Sequence, residues 1–251
     1  MNKMNFLRGL PARLFLCASF LAPAIAFGQV PGAGANMINS AFLKLFSPHT
    51  NFICRAEIHV LDALQRETDI VPLDLTIADG KMRLDINFAD VKGNDLPPAM
   101  MPQLKQLGMD ESVIIQRPSQ KIIFSIYPHA KAYTEKLMSK DEIAAAEKTY
   151  TVEKTKVGHE TVEGHPCDKF TVILTDEKKV KHTATVWYAA DLKDFPVEIR
   201  MADENSSLIM KFRDVKLGKA SPVRFEAPSG FTKYKTDEAL MDAATKGALS
   251  K

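Results

Sequence analysis

Between residues 161 and 201 the chain reads TVEGHPCDKFTVILTDEKKVKHTATVWYAADLKDFPVEIRM, a succession of apolar and polar alternations broken by short polar turns. His182, Ala184, Val186 and Tyr188 alternate with Thr183, Thr185 and Trp187, a period of two that no helix can use. Such a run predicts consecutive antiparallel strands with two unlike faces. Trp187 and Tyr188 must then point to opposite sides, one toward an interior and the other anchoring the outer surface. A sheet of this kind needs a cover over its apolar face, which the rest of the chain has to supply.

The N-terminus carries Lys3, Arg8 and Arg13 without an acid, then the apolar run Leu14 to Ile25, then Ala24-Ile25-Ala26. This pattern predicts a secretory signal peptide over residues 1–26, cut after Ala26 or, by the same small-residue rule, after Gly28. The run is too short to span a bilayer, and Cys17 follows Leu16 inside it, where a lipid-anchored cysteine would need a small residue before it. The expected product is a soluble periplasmic protein with no transmembrane segment. Removing the leader leaves 30 basic against 31 acidic residues, which gives no electrostatic attraction to nucleic acid. Beyond a lead-in and N-terminal helix over 27–49, residues 50–233 are expected to form one domain, with a C-terminal tail over 234–251. Cys54 and Cys167 remain as an even pair in an oxidising compartment, which favours a Cys54–Cys167 disulfide over two separately buried thiols.

Met37, Ile38, Ala41, Phe42 and Leu45 recur at helical spacing before Pro48. A strand at about 51–61 then sets Phe52, Cys54, Ala56, Ile58 and Val60 against Arg55, Glu57 and His59. Asp79-Gly80 between two alternating runs is a strong hairpin signal, and its second arm places Met82, Leu84, Ile86 and Phe88 on one face. The segment PPAMMPQLKQLGMD frames a short helix with prolines and Gly108. Strands resume at about 111–117 and 121–127, turning through Pro118-Ser119-Gln120. Ser139 and Glu142 form a capping box for a helix at 139–148. A last strand over about 206–216 precedes a loose helical tail from Asp237 to Ala248.

The run K-x-G-x-E-x-x-x-G-x-P-C-D-K-F from Lys156 to Phe170, with Thr185-Val186-Trp187-Tyr188-Ala189 and Asp191-Leu192-Lys193-Asp194-Phe195-Pro196-Val197, resembles an uncharacterised exported bacterial domain family. Members of that family are similar to the LolA/LolB-type periplasmic lipoprotein carriers and to the lipoprotein-sensing domain of an envelope-stress regulator. Met109-Asp110, Arg117-Pro118 and Ile126-Tyr127-Pro128 fit the same pattern. The resemblance implies a mainly β (α+β) fold: an open, strongly curved antiparallel half-barrel whose concave face is covered by short helices and holds a hydrophobic cavity. The arginine latch of the classical carriers has no matching residue here.

Chemistry is harder to find than fold. His159, His165 and Cys167 invite a metal reading, but the histidines flank a turn and the cysteine has its expected disulfide use. There is no G-x-S-x-G elbow and no glycine-rich phosphate loop. Seven methionines (Met82, Met100, Met101, Met109, Met138, Met201, Met210) would suit an adaptable apolar lining, or equally an ordinary core. The expectation is therefore a non-enzymatic carrier without cofactor or metal that holds an acyl chain, lipid or lipidated protein. Its cavity would be lined by Leu84, Ile86, Phe88, Phe124 and Met210, with Met100, Met101 and Leu104 on a lid. The alternative is an envelope interaction or sensor module whose edge strands dock a protein partner.

Overall fold

A computed structural model describes residues 40–93, 98–202 and 206–247. The expected signal peptide, Met37 and Ile38 lie outside the described residues. The described residues open with helix α1 (Ser40–Leu45) and strands β1 (Phe52–Asp62), β2 (Glu67–Ala78), β3 (Lys81–Asn87) and the short β4 (Lys92–Gly93). Helix α2 (Met101–Leu107) precedes β5 (Glu111–Arg117), β6 (Ile122–Tyr127) and β7 (Ala132–Leu137). After α3 (Lys140–Glu147) come β8 (Tyr150–Val162), β9 (His165–Asp176), β10 (Lys181–Ala189), β11 (Phe195–Ala202) and β12 (Ser206–Leu217), then β13 (Thr232–Tyr234) and α4 (Asp237–Thr245).

These strands form one 13-stranded curved sheet in the order β13-β7-β6-β5-β3-β2-β1-β12-β11-β10-β9-β8, with β4 beside β2. Every pairing is antiparallel except that of β13 with β7. Local sequence explains most of the turns. Asp79 and Gly80 both adopt positive φ, 50° and 73°, as a two-residue hairpin requires. Gly108 closes α2 at φ 68°, and a Cβ there would stand 2.8 Å from the Ala130 nitrogen. Ser139 and Glu142 complete their capping box on α3. Pro72 sits inside β2, where proline is normally excluded. It falls between the residues of β2 that pair with β4, Asp69 and Ile70, and those from Asp74 onward that pair with β3. No ladder on that side needs its missing N–H.

Because successive residues alternate, the register defines two faces. On the inner face Phe170, Val186, Ile199, Met210, Ile58 and Val71 form a continuous apolar row from β9 across to β2. One residue along, the outer face carries Lys169, Trp187, Glu198, Lys211, Glu57 and Pro72. Trp187 and Tyr188 accordingly belong to different buried clusters, as the alternation requires.

Two elements differ from the sequence expectation. The C-terminal helix is docked rather than loose: Thr236 caps it, Leu240 is fully buried, and Leu240 with Ala244 packs on Tyr127 and Ala132. The Cys54–Cys167 disulfide is not formed; both residues are free, buried thiols. Cys54 faces inward, whereas Cys167 packs with Trp187, Ala189 and Val197 on the outer side. Strands β12, β11 and β10 also lie between their strands, roughly 19 Å along the sheet, far beyond disulfide reach.

Candidate functional site

The inner face carries the largest buried apolar cluster among the described residues, and α1 lies on it. Phe42 and Leu45 of α1 and the following Phe46 are buried among residues of β1, β2, β3, β9, β10, β11 and β12. Phe46 is the hub: its ring centroid is 4.8 Å from Phe42, 4.9 Å from Phe52, 5.2 Å from Phe212 and 5.5 Å from Phe195. Polar ties hold the helix at both ends. Ser40 Oγ donates to the carbonyls of Ala145 and Lys148 at the end of α3, and the Tyr188 hydroxyl donates to Leu45 O at 3.1 Å. Burial raises the Tyr188 phenol pKa, so it remains a donor at any physiological pH. In α3 itself no residue is buried, so it props α1 without joining the core.

The expected cavity residues do not converge. Leu84, Ile86 and Met210 share the inner cluster under α1. Phe88 stands at its border and also touches the neighbouring cluster of Leu104, Met109, Tyr127, Ala132 and Leu240, where Met101 packs. Met100 is half-buried and belongs to none of the buried clusters. Phe124 is on the outer face: the Pro118–Gln120 turn pairs Arg117 with Ile122, which puts Phe124 opposite Ile115 and beside Arg83. There it packs with Val113, Ile126 and Phe225. The proline-framed helix α2 covers the β6–β7 end, and the lid over the main apolar face is α1, whose aromatic residues the sequence reading did not assign to the site. The methionines likewise divide between clusters, with Met82 and Met210 under α1 and Met109 beneath α2.

The outer face offers a different chemistry. A cleft of about 480 Å³ is lined by Arg55, Glu57, Asp74, Asp85, Lys211 and Arg213, among others. Its charges answer each other: Arg55 lies 3.6 Å from Asp74, and Arg213 reaches Glu57 at 3.8 Å and Glu163 at 2.8 Å. Of the residues considered for a metal, His159 pairs with Asp168, His165 with Asp191, and the Cys167 thiol donates to the His165 carbonyl. Among the described residues, no group of His, Cys, Asp and Glu is arranged to hold a metal ion. No described helix is long and apolar enough to cross a membrane.

The chain belongs to the family described as Domain of unknown function (DUF4412), whose model matches residues 68–211. Its fold is mainly β, one large open curved antiparallel sheet with a few short helices. Solved structures similar to it include the LolA superfamily protein NE2245 from Nitrosomonas europaea, at 10% identity and TM-score 0.38, covering 73% of this chain and 93% of that one. The Mycobacterium tuberculosis lipoprotein LppX is similar at 13% identity and TM-score 0.36, over 69% of this chain and 90% of that one. MucB, solved in complex with MucA(peri), is similar at 11% identity and TM-score 0.36, over 79% of this chain and 62% of that one. No curated protein matches the chain in sequence.

Proposed function

We propose that the protein is an exported, periplasmic, non-enzymatic binding protein for an acyl chain or another apolar ligand, and that α1 occupies the ligand's place in the form described. The supporting observation is the disproportion between the inner face and its cover. An apolar row crosses from β9 to β2, while a helix of six residues and one following phenylalanine supply the side chains laid upon its centre. A short helix with little hydrogen bonding of its own depends on tertiary contacts for its stability, so it is a candidate for displacement by a ligand of the same character. Burial of the ligand's apolar surface, at about 25 cal/mol per Å², would be the driving force, reduced by the cost of ordering it.

In this reading residues 1–26 are the export signal, and the domain proper covers 50–233 with the docked C-terminal helix as an added strap. Titration with the fluorescent fatty acid 11-(dansylamino)undecanoate tests it. The wild type should take up the probe, and the double variant Phe42→Ser with Phe46→Ser, which weakens the hold of α1, should take it up more tightly. If neither binds the probe while both keep their β-sheet circular dichroism, the inner face is core only.

A second reading has its own observation: among the described residues, β8 is a 13-residue strand at the end of the sheet, paired with β9 on one side alone. An interaction module could extend the sheet from that edge. Native mass spectrometry of the purified protein separates the two, since a carrier brings lipid with it and a module does not.

A further inference from the structure

The inner row of β8 contains Tyr150, Val152, Lys154 and Lys156, which face Asp176, Leu174, Val172 and Phe170 on β9. Two lysines at the ends of this stretch are neutralised. Lys148, just before β8, reaches Asp176 at 2.6 Å, and Lys156 reaches Asp168 at 2.7 Å. Lys154 is different. Opposite it stands Val172, and its ammonium lies 4.2 Å from the centre of the Tyr188 ring. Among the described residues it has no carboxylate at ion-pair distance; Asp194 acts on it only through space, and the dominant effect of its apolar surroundings is to lower its pKa. Lys154 is itself exposed, so its ammonium, held over an aromatic face with no carboxylate at ion-pair distance among the described residues, is open to an incoming anion.

Its neighbours define what could compensate it. Tyr188 is buried, packs edge-on against Phe170 at 5.6 Å, and spends its hydroxyl on the last carbonyl of α1. Displacing α1 therefore releases an O–H donor beside the lysine, at the border where the apolar row of the inner face begins. We propose that Lys154 and the Tyr188 hydroxyl form a head-group site, and that the ligand is a single-chain amphiphile with a carboxylate head, in effect a fatty acid. The acyl chain takes the place of Phe42, Leu45 and Phe46, and the carboxylate accepts hydrogen bonds from the ammonium and the phenol. One unpaired cation matches one negative charge; a phosphate monoester dianion would call for more. This inference rests on the carrier reading above and adds the polarity of the ligand to it.

The test compares 11-(dansylamino)undecanoate with its neutral methyl ester, on the wild-type protein and in the Phe42→Ser, Phe46→Ser background. A charge-assisted contact at a partly exposed site predicts about a tenfold preference for the acid. Lys154→Met should remove that preference by weakening the acid about tenfold while leaving the ester unchanged, and Lys154→Arg should retain it. Equal affinity for acid and ester in the parent protein, or a preference that survives Lys154→Met, overturns the head-group site and leaves the apolar carrier standing. Failure of both probes in both backgrounds overturns the carrier reading together with it.

Discussion

The inner and outer faces of the sheet are built from adjacent residues of the same strands, and they are held together by different physics. Inward, the row from Phe170 to Val71 excludes water without a charged group, and Phe46 joins it to α1 through ring contacts. Outward, the row from Lys169 to Pro72 lies among ion pairs, with Trp187 between the cations of Lys169 and Arg200 at 4.7 and 4.8 Å. Apolar burial is additive and indifferent to the exact partner, so a ligand can substitute for a helix there. Paired charges are specific and gain little when exposed, so the outer face suits shape and solubility more than storage of an apolar ligand.

The largest effect that can break this contrast uses two neighbours on β12. Phe212 is fully buried on the inner face, and its truncation to alanine should cost about 3–5 kcal/mol of unfolding free energy. Lys211 faces outward with its ammonium 4.0 Å from Glu163, and Lys211→Ala should change stability by no more than about 0.5 kcal/mol. Guanidinium denaturation of both variants measures the ratio. Comparable losses would mean that the outer face is as structural as the inner.

The features legible in the sequence were those with a local cause. Asp79-Gly80, the Ser139–Glu142 box and the Gly108 stop each act within a few residues, and the structure contains all of them. The face of Phe124 was not legible, because Ile123, Phe124, Ser125, Ile126 and Tyr127 are all buried and a strand covered on both sides has no alternation to read. Strand β7 escaped for a related reason: AYTEKL buries only Ala132 and Thr134, and its outer neighbour β13 arrives from about 100 residues away. The choice of α1 over α2 as lid is also long-range. Both are short helices with apolar residues, and only docking decides which cluster each one covers.

A smaller effect separates the faces by pH. Glu160 accepts the indole N–H of Trp187 at 2.7 Å, and that bond, followed by the Lys169 ion pair at 3.2 Å, holds its carboxyl below the usual glutamate range. Arg213 does the same to Glu163. A carboxyl with a lowered folded pKa stabilises the protein above roughly pH 4 and loses that contribution as the pH falls through the lowered value. Trp187 is the one tryptophan of the chain, so its emission reports the outer face alone. Below about pH 4 the emission should shift while the far-ultraviolet circular dichroism holds, and Glu160→Gln should flatten the emission profile. Simultaneous loss of both signals would show that the faces do not respond separately.

The smallest expected effect is none, and it concerns the two cysteines. Cys54 belongs to the inner face and Cys167 to the outer, so a bond between them would have to pierce the sheet. Burial pushes both thiols above their ordinary pKa, with nearby Asp74 adding to the effect on Cys54, so neither is a ready thiolate in the folded state. In the chain without residues 1–26, and so without Cys17, dithiothreitol should therefore leave the thermal transition where it is, and a thiol reagent should find no reactive group in the native protein and two after denaturation without reductant. A disulfide closing more than 100 residues would be worth roughly 4–5 kcal/mol in the chain-entropy account, so its presence could not be missed. A fall in Tm on reduction, or an absence of titratable thiols in the unfolded chain, would place both cysteines on one side of the sheet and undo the assignment of faces on which the proposed ligand site depends.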